Sequence, residues 1–219
     1  MPDLNFEVEG ASPLSFAVAP QLNFKLRISD SAGAQALPIP AVALRCQIRI
    51  EPTRRRYAPA EQGRLLDLFG EPTRWGQTLR SMLWTHTSLI VPPFTGRTVV
   101  DLPVPCTYDF NVAATKYFYA LEDGEVSLSL LFSGTIFYAE DESGALQVSP
   151  ISWEKEAEYR LPVQVWKAMM DLYYPNSAWL CLRQDVFDQL YLYKSRLGLP
   201  TWEQTMERLL DTCRERVEP

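Results

Sequence analysis

Five arginines stand close together in the chain. Arg45 and Arg49 lie on an alternating stretch, and Arg54, Arg55 and Arg56 follow with Tyr57 directly after them. A guanidinium presents a planar fork of donors that matches a carboxylate or a phosphate, so these residues suit an acidic partner. The plainer alternative is a solvated strand end whose cations pair with local Glu and Asp. His86 is the only histidine, set in Trp84-Thr85-His86-Thr87. A general-base role needs a nucleophile and an orienting acid beside it, and the sequence displays neither, so His86 is read as structural.

Cys106 follows Pro103-Val104-Pro105 with nothing basic adjoining it, which favours a small buried hydrophobe over a reactive thiolate. The carboxylates Glu140-Asp141-Glu142 read as a solvated turn tip. Six tryptophans fall mostly in helical segments and are read as glue between helices and sheets, although an exposed subset would anchor a partner. No phosphate loop or nucleophile elbow of the G-x-G-x-x-G, G-x-x-x-x-G-K or G-x-S-x-G types occurs. The four cysteines are far apart and form no C-x-x-C pair, so neither a disulfide frame nor a zinc site is expected. No catalytic residue, cofactor or metal ligand set is assigned.

The elements that must position these residues are mainly β. Leu22, Phe24, Leu26 and Ile28 alternate with Asn23, Lys25 and Arg27. Val42, Leu44, Cys46, Ile48 and Ile50 alternate with Arg45, Gln47 and Arg49. A period of two with one wet face is the antiparallel pattern. Leu4 to Val8, Thr85 to Val91, Thr95 to Leu102, Thr107 to Leu121, Val126 to Tyr138 and Leu146 to Trp153 are also read as strands. Asp123-Gly124 is read as a hairpin between two of them, and Ser143-Gly144 as a further turn. Residues 58–84 read as a helical excursion: Pro59 to Phe69 stopped by Gly70, then Pro72 to Trp84 with Trp75, Leu79, Met82 and Leu83 on one face. Past Glu158 the period turns helical, with helices from Pro162, from Arg183 to Leu197, and from Thr201, whose pairing with Gln204 is a capping box.

The predicted fold is therefore mainly β, α+β overall. It is an antiparallel β-sandwich over 1–160 with a helical insertion at 58–84, and a helical region over 161–219 packed on it. One curled antiparallel sheet with helices on one face is the alternative. The chain has 219 residues, 47% hydrophobic and 22% charged, enough for a packed core. Its net charge of −6 removes the basic field that nucleic acid requires. The start Met1-Pro2-Asp3-Leu4-Asn5 has no secretory pattern, and no stretch is apolar enough to span a membrane, so a cytoplasmic location is expected.

Several runs resemble a known family. They are Arg45 to Pro52, Leu68-Phe69-Gly70-Glu71-Pro72 through Trp75, Leu102 to Phe110, Leu131-Phe132-Ser133-Gly134-Thr135, and Tyr173-Tyr174-Pro175-Asn176-Ser177. Together they resemble a bacterial, largely actinobacterial, domain-of-unknown-function family over nearly the whole chain. The resemblance implies genes neighbouring those of oxygen-tolerant NiFe hydrogenases, and it passes on no activity. The function expected is a non-catalytic accessory, assembly or protein-interaction protein. Its expected partners are proteins, with hydrogenase subunits or maturation factors as the implied class. The interaction residues would be Arg45, Arg49, Arg54, Arg55, Arg56 and Tyr57. The alternative is a β-sandwich that binds a small or apolar ligand between sheet and helices, and an enzyme of unfamiliar type ranks third.

Overall fold

Alternation of buried and exposed residues sets the architecture of the computed structural model, which describes residues 1–139 and 145–217. The order is β1 Leu4–Pro13, β2 Gln21–Asp30, β3 Pro38–Ile39, β4 Ala41–Ile50, α1 Pro59–Arg64, α2 Leu66–Phe69, α3 Trp75–Thr78, β5 Met82–Val91, β6 Phe94–Thr95 and β7 Arg97–Pro105. After these come α4 Ala113–Ala120, β8 Glu125–Ala139, β9 Leu146–Pro150, β10 Glu156–Pro162, α5 Val163–Tyr173, α6 Gln184–Arg196 and α7 Trp202–Val217. The expected turn at Ser143-Gly144 and the acidic tip Glu140-Asp141-Glu142 lie outside the described residues.

Two antiparallel sheets carry the fold. One has the order β1-β2-β7; the other has the order β10-β8-β4-β5, with β9 also paired to β8. The inward residues of β2 and β4 are those the alternation picks out, from Leu22 to Ile28 and from Val42 to Ile50, and all are buried. Phe6 stacks on Phe132 with centroids 4.2 Å apart, joining the inner faces of the two sheets. Burying each such side chain is worth about 1.5–3 kcal/mol. The sheet edges are tied as well. Thr87 donates its hydroxyl to the Pro103 carbonyl, and Lys155 donates to Asn5 and pairs with Asp3 at 2.7 Å. The fold is thus a β-rich α+β antiparallel sandwich.

Three segments differ from the sequence reading. Thr107 to Leu121 was expected as a strand, but Ala113–Ala120 is the helix α4. Ala114, Tyr117, Phe118 and Leu121 are buried together, and their spacing is helical. The Asp123-Gly124 hairpin is therefore replaced by a helix-to-strand turn, with Gly124 at φ 81°. The helix expected over 72–84 stops at Thr78, because Met82 onward pairs with β4. A strand absent from the sequence reading, β10, pairs with β8; Ala157 and Leu161 point inward between exposed charges.

The chain divides into two units, Met1–Trp179 and Leu180–Pro219, so α5 belongs with the sheets rather than with the later helices. The second unit holds α6 and α7. Gly198, at φ 63°, follows the end of α6. The Thr201 hydroxyl accepts the Gln204 N–H at 3.2 Å, and Phe187 and Trp202 meet at 5.3 Å between the two helices.

Candidate functional site

Strand register builds an open groove on the outer face of the larger sheet. Gln47 on β4 lies between His86 on β5 and Leu131 on β8. Arg45, two residues earlier, lies between Ser88 and Ser133 in the same way. Side chains of one face alternate with those of the other, so these six share the face turned away from the core. The groove has a volume of about 630 Å³. Trp153, from the link between β9 and β10, lines it and is 89% exposed. A large aromatic left in water in the same groove as a guanidinium suits an interface anchor.

Arg49 extends this face, flanked by Leu83 and Ser129. It stands about 13 Å from Arg45 at the rise of an antiparallel strand. Neither Arg45 nor Arg49 has a carboxylate within ion-pair distance among the described residues, and the same holds for Arg56. Among the described residues, nothing anionic holds either β4 arginine, which suits both to an external anion. His86 is exposed on the same face. Glu156 opposes Leu131 and so shares its row, but it stands three strands from His86. That separation is roughly 14 Å, too far for a His–carboxylate couple.

The other residues expected to bind a partner are not gathered there. Arg54 pairs with Glu158 of β10 at 2.5 Å on the surface. Arg55 is turned inward. It pairs with Glu61 at 2.5 Å, donates to the Glu125 carbonyl at 3.2 Å and lies 5.8 Å from the Tyr57 ring centroid. Glu61 also accepts the N–H of Ala58 at 3.0 Å and of Glu122 at 2.9 Å. Tyr57 donates its hydroxyl to the Pro52 carbonyl at 2.7 Å, which leaves it to accept from Tyr117 at 2.8 Å. Burial pushes both phenols up. Arg55, Glu61, Tyr57 and Tyr117 therefore lock α1 to the start of β8.

The thiols are placed by burial too. Cys46 faces the core from β4 and Cys106 is half-buried, and burial pushes each up to about 12. Cys181 and Cys213 are exposed. No group of three His, Cys, Asp or Glu able to hold a metal ion occurs among the described residues. No helix among them is long and apolar enough to cross a membrane.

Sequence reasoning missed Trp153 and Gln47. The sequence reading puts Trp153 at the end of a strand and does not single it out from the six tryptophans, read as glue or, for an exposed subset, as partner anchors. The signal for its exposure is the polar run that follows it, Glu154-Lys155-Glu156. Residues 1–218 match a family of unknown function, DUF6084. The chain belongs to that family. No curated protein matches it. Two solved structures are similar over 73% of this chain, each at 10% identity and a TM-score of 0.27. One is the CARDB domain of the PF1109 protein from Pyrococcus furiosus in complex with di-metal ions, 91% of which is covered. The other is a β-glucosidase from Kluyveromyces marxianus, 15% of which is covered. At those scores neither likeness says anything about the function of this family member.

Proposed function

We propose that this chain is a non-catalytic protein-interaction protein that docks an acidic partner surface on the outer face of β8, β4 and β5. The observation that carries the reading is exposed Trp153 lining one groove with Arg45, with Arg49 further along the same face; neither guanidinium has a carboxylate partner among the described residues. An aromatic anchor supplies contact area, and flanking cations steer an acidic surface onto it. The net charge of −6 limits such steering to a local patch, which suits a protein surface better than a nucleic acid backbone. The groove is open and lined by serine, threonine and glutamine as well as apolar residues, which supports surface docking over enclosure of an apolar molecule. An accessory or assembly role follows from such docking. The family resemblance adds one class of partner to test by name, the subunits and maturation factors of a NiFe hydrogenase.

Affinity capture from source cells tests the reading, with wild type compared against Trp153→Ala and Arg45→Glu. The wild type is expected to retain a specific set of proteins that each variant loses, while all three melt at the same temperature. Retention of the same set by both variants contradicts the reading.

A further inference from the structure

A second concavity, on the helical side of the first unit, has a different chemistry. Its lining is Arg64, Tyr108, Tyr119, Lys167 and Asp171 over Trp166 and Met170, with a volume of about 390 Å³. Arg64 and Tyr119 also line an adjoining hollow of about 320 Å³ beside Phe110. We propose that this cleft between α1, α4 and α5 binds a planar aromatic anion.

The aromatic part rests on ring geometry. Trp166 and Met170 are buried and give the cleft an apolar base. Tyr108 is stacked on Tyr174 at 5.3 Å and 6°, and it meets Phe110 at 5.2 Å. Phe110 in turn holds the Tyr119 ring edge-on at 4.8 Å and 80°. Tyr119 is thereby fixed in orientation although it is 52% exposed. A phenol half in water at the lip of a cleft with an apolar base, met edge-on by one ring, can take a second ring by stacking. The cleft volume lies in the range of small-molecule sites and suits a ligand of one or two fused rings.

The anionic part rests on two converging cations. Arg64 reaches the Glu122 carboxylate at 3.2 Å, and Lys167 donates to the carbonyl oxygen of that same residue at 3.1 Å. Arg64 and Glu122 are each about half exposed, so the pair is weakly held and exchangeable. A ligand carboxylate or sulfonate in the cleft competes with the Glu122 side chain for Arg64 and with the Glu122 carbonyl for Lys167. Its ring lies against Tyr119. Tyr108, pushed up first by burial and then by Tyr119 and Asp171, stays a neutral hydroxyl that donates to the ligand.

Calorimetric titration of the full chain with naphthalene-1-sulfonate tests the site, with uncharged naphthalene-1-methanol as the matched probe. The wild type is expected to bind the sulfonate at one saturable site, more tightly than the alcohol. Tyr119→Ala should weaken both probes by about tenfold, the scale of one lost aromatic contact. Lys167→Glu should weaken the sulfonate and leave the alcohol unchanged. Melting curves confirm that each variant is folded; Tyr119 and Lys167 both reach solvent, so neither substitution removes core. No saturable sulfonate binding, equal affinity for sulfonate and alcohol, or wild-type affinity in Tyr119→Ala overturns the proposal.

Discussion

Arg55 and Arg45 show how one residue type is put to two uses ten residues apart. Arg45 points outward from an alternating strand. Arg55 lies past Pro52, where the alternation has ended, and its direction is set by Glu61, Gly124 and Tyr57. The first was legible in the sequence, because period two assigns a face. The second was not, because no local pattern links residue 55 to residues 61 and 125. Removing one partner of a buried pair leaves the other charge without compensation, at a cost of about 3–5 kcal/mol. Arg55→Ala is therefore expected to lower stability on that scale in denaturant unfolding, and Arg56→Ala, exposed and without an ion-pair partner among the described residues, to leave it nearly unchanged. A combined change of Arg54, Arg55 and Arg56 would confound docking with folding. The cysteines offer a second contrast. Cys46 and Cys106, raised to about 12, are protonated at neutral pH, whereas Cys181 and Cys213 are exposed. A disulfide reagent at neutral pH should modify Cys181 and Cys213 fast and the other two only on unfolding. Rapid modification of Cys46 in the native state would contradict its placement.

At the scale of elements, β4 and its neighbours were readable and the segment after Pro105 was not. Tyr117, Phe118 and Tyr119 have strand propensity, yet Ala114, Tyr117, Phe118 and Leu121 bury one helical face. Tertiary packing overrode the preference. The pairing of β4 with β8 depends on Gly134, which sits at φ 142° against β4. A Cβ there would run into the Ala43 carbonyl oxygen and come within 3.1 Å of its carbon. Gly134→Ala should thus cost several kcal/mol, about the scale of a strained backbone position plus overpacking. A variant that melts with the wild type would disprove that close approach. The tie between β1 and the β9–β10 link adds a pH dependence. The Lys155 hydrogen bond, then that of Ser31, holds Asp3 below its ordinary value of 3.8. A lowered carboxyl stabilises the fold above its unfolded pKa and loses that contribution as pH falls through the folded one. Asp3→Asn should therefore flatten the loss of stability below about pH 4, measured by urea unfolding across acid pH.

For the whole molecule, the sandwich class and the helices after Pro162 follow from patterning, whereas the groove is a product of register. Arg45 and His86 are 41 positions apart in numbering, and Trp153 joins them only because the β9–β10 link passes beside β8. No sequence spacing encodes that meeting. An acidic chain with an arginine–tryptophan face should recruit its partner by local steering, so the interaction must weaken as salt screens it. The most direct measurement is the dissociation constant for a captured partner as ionic strength rises, in wild type and in Arg45→Glu/Arg49→Glu. The account predicts steep weakening with salt in the wild type, and in the variant an affinity lower by about tenfold or more at low salt with a flattened slope. Equal affinities and equal slopes in the two proteins would contradict it.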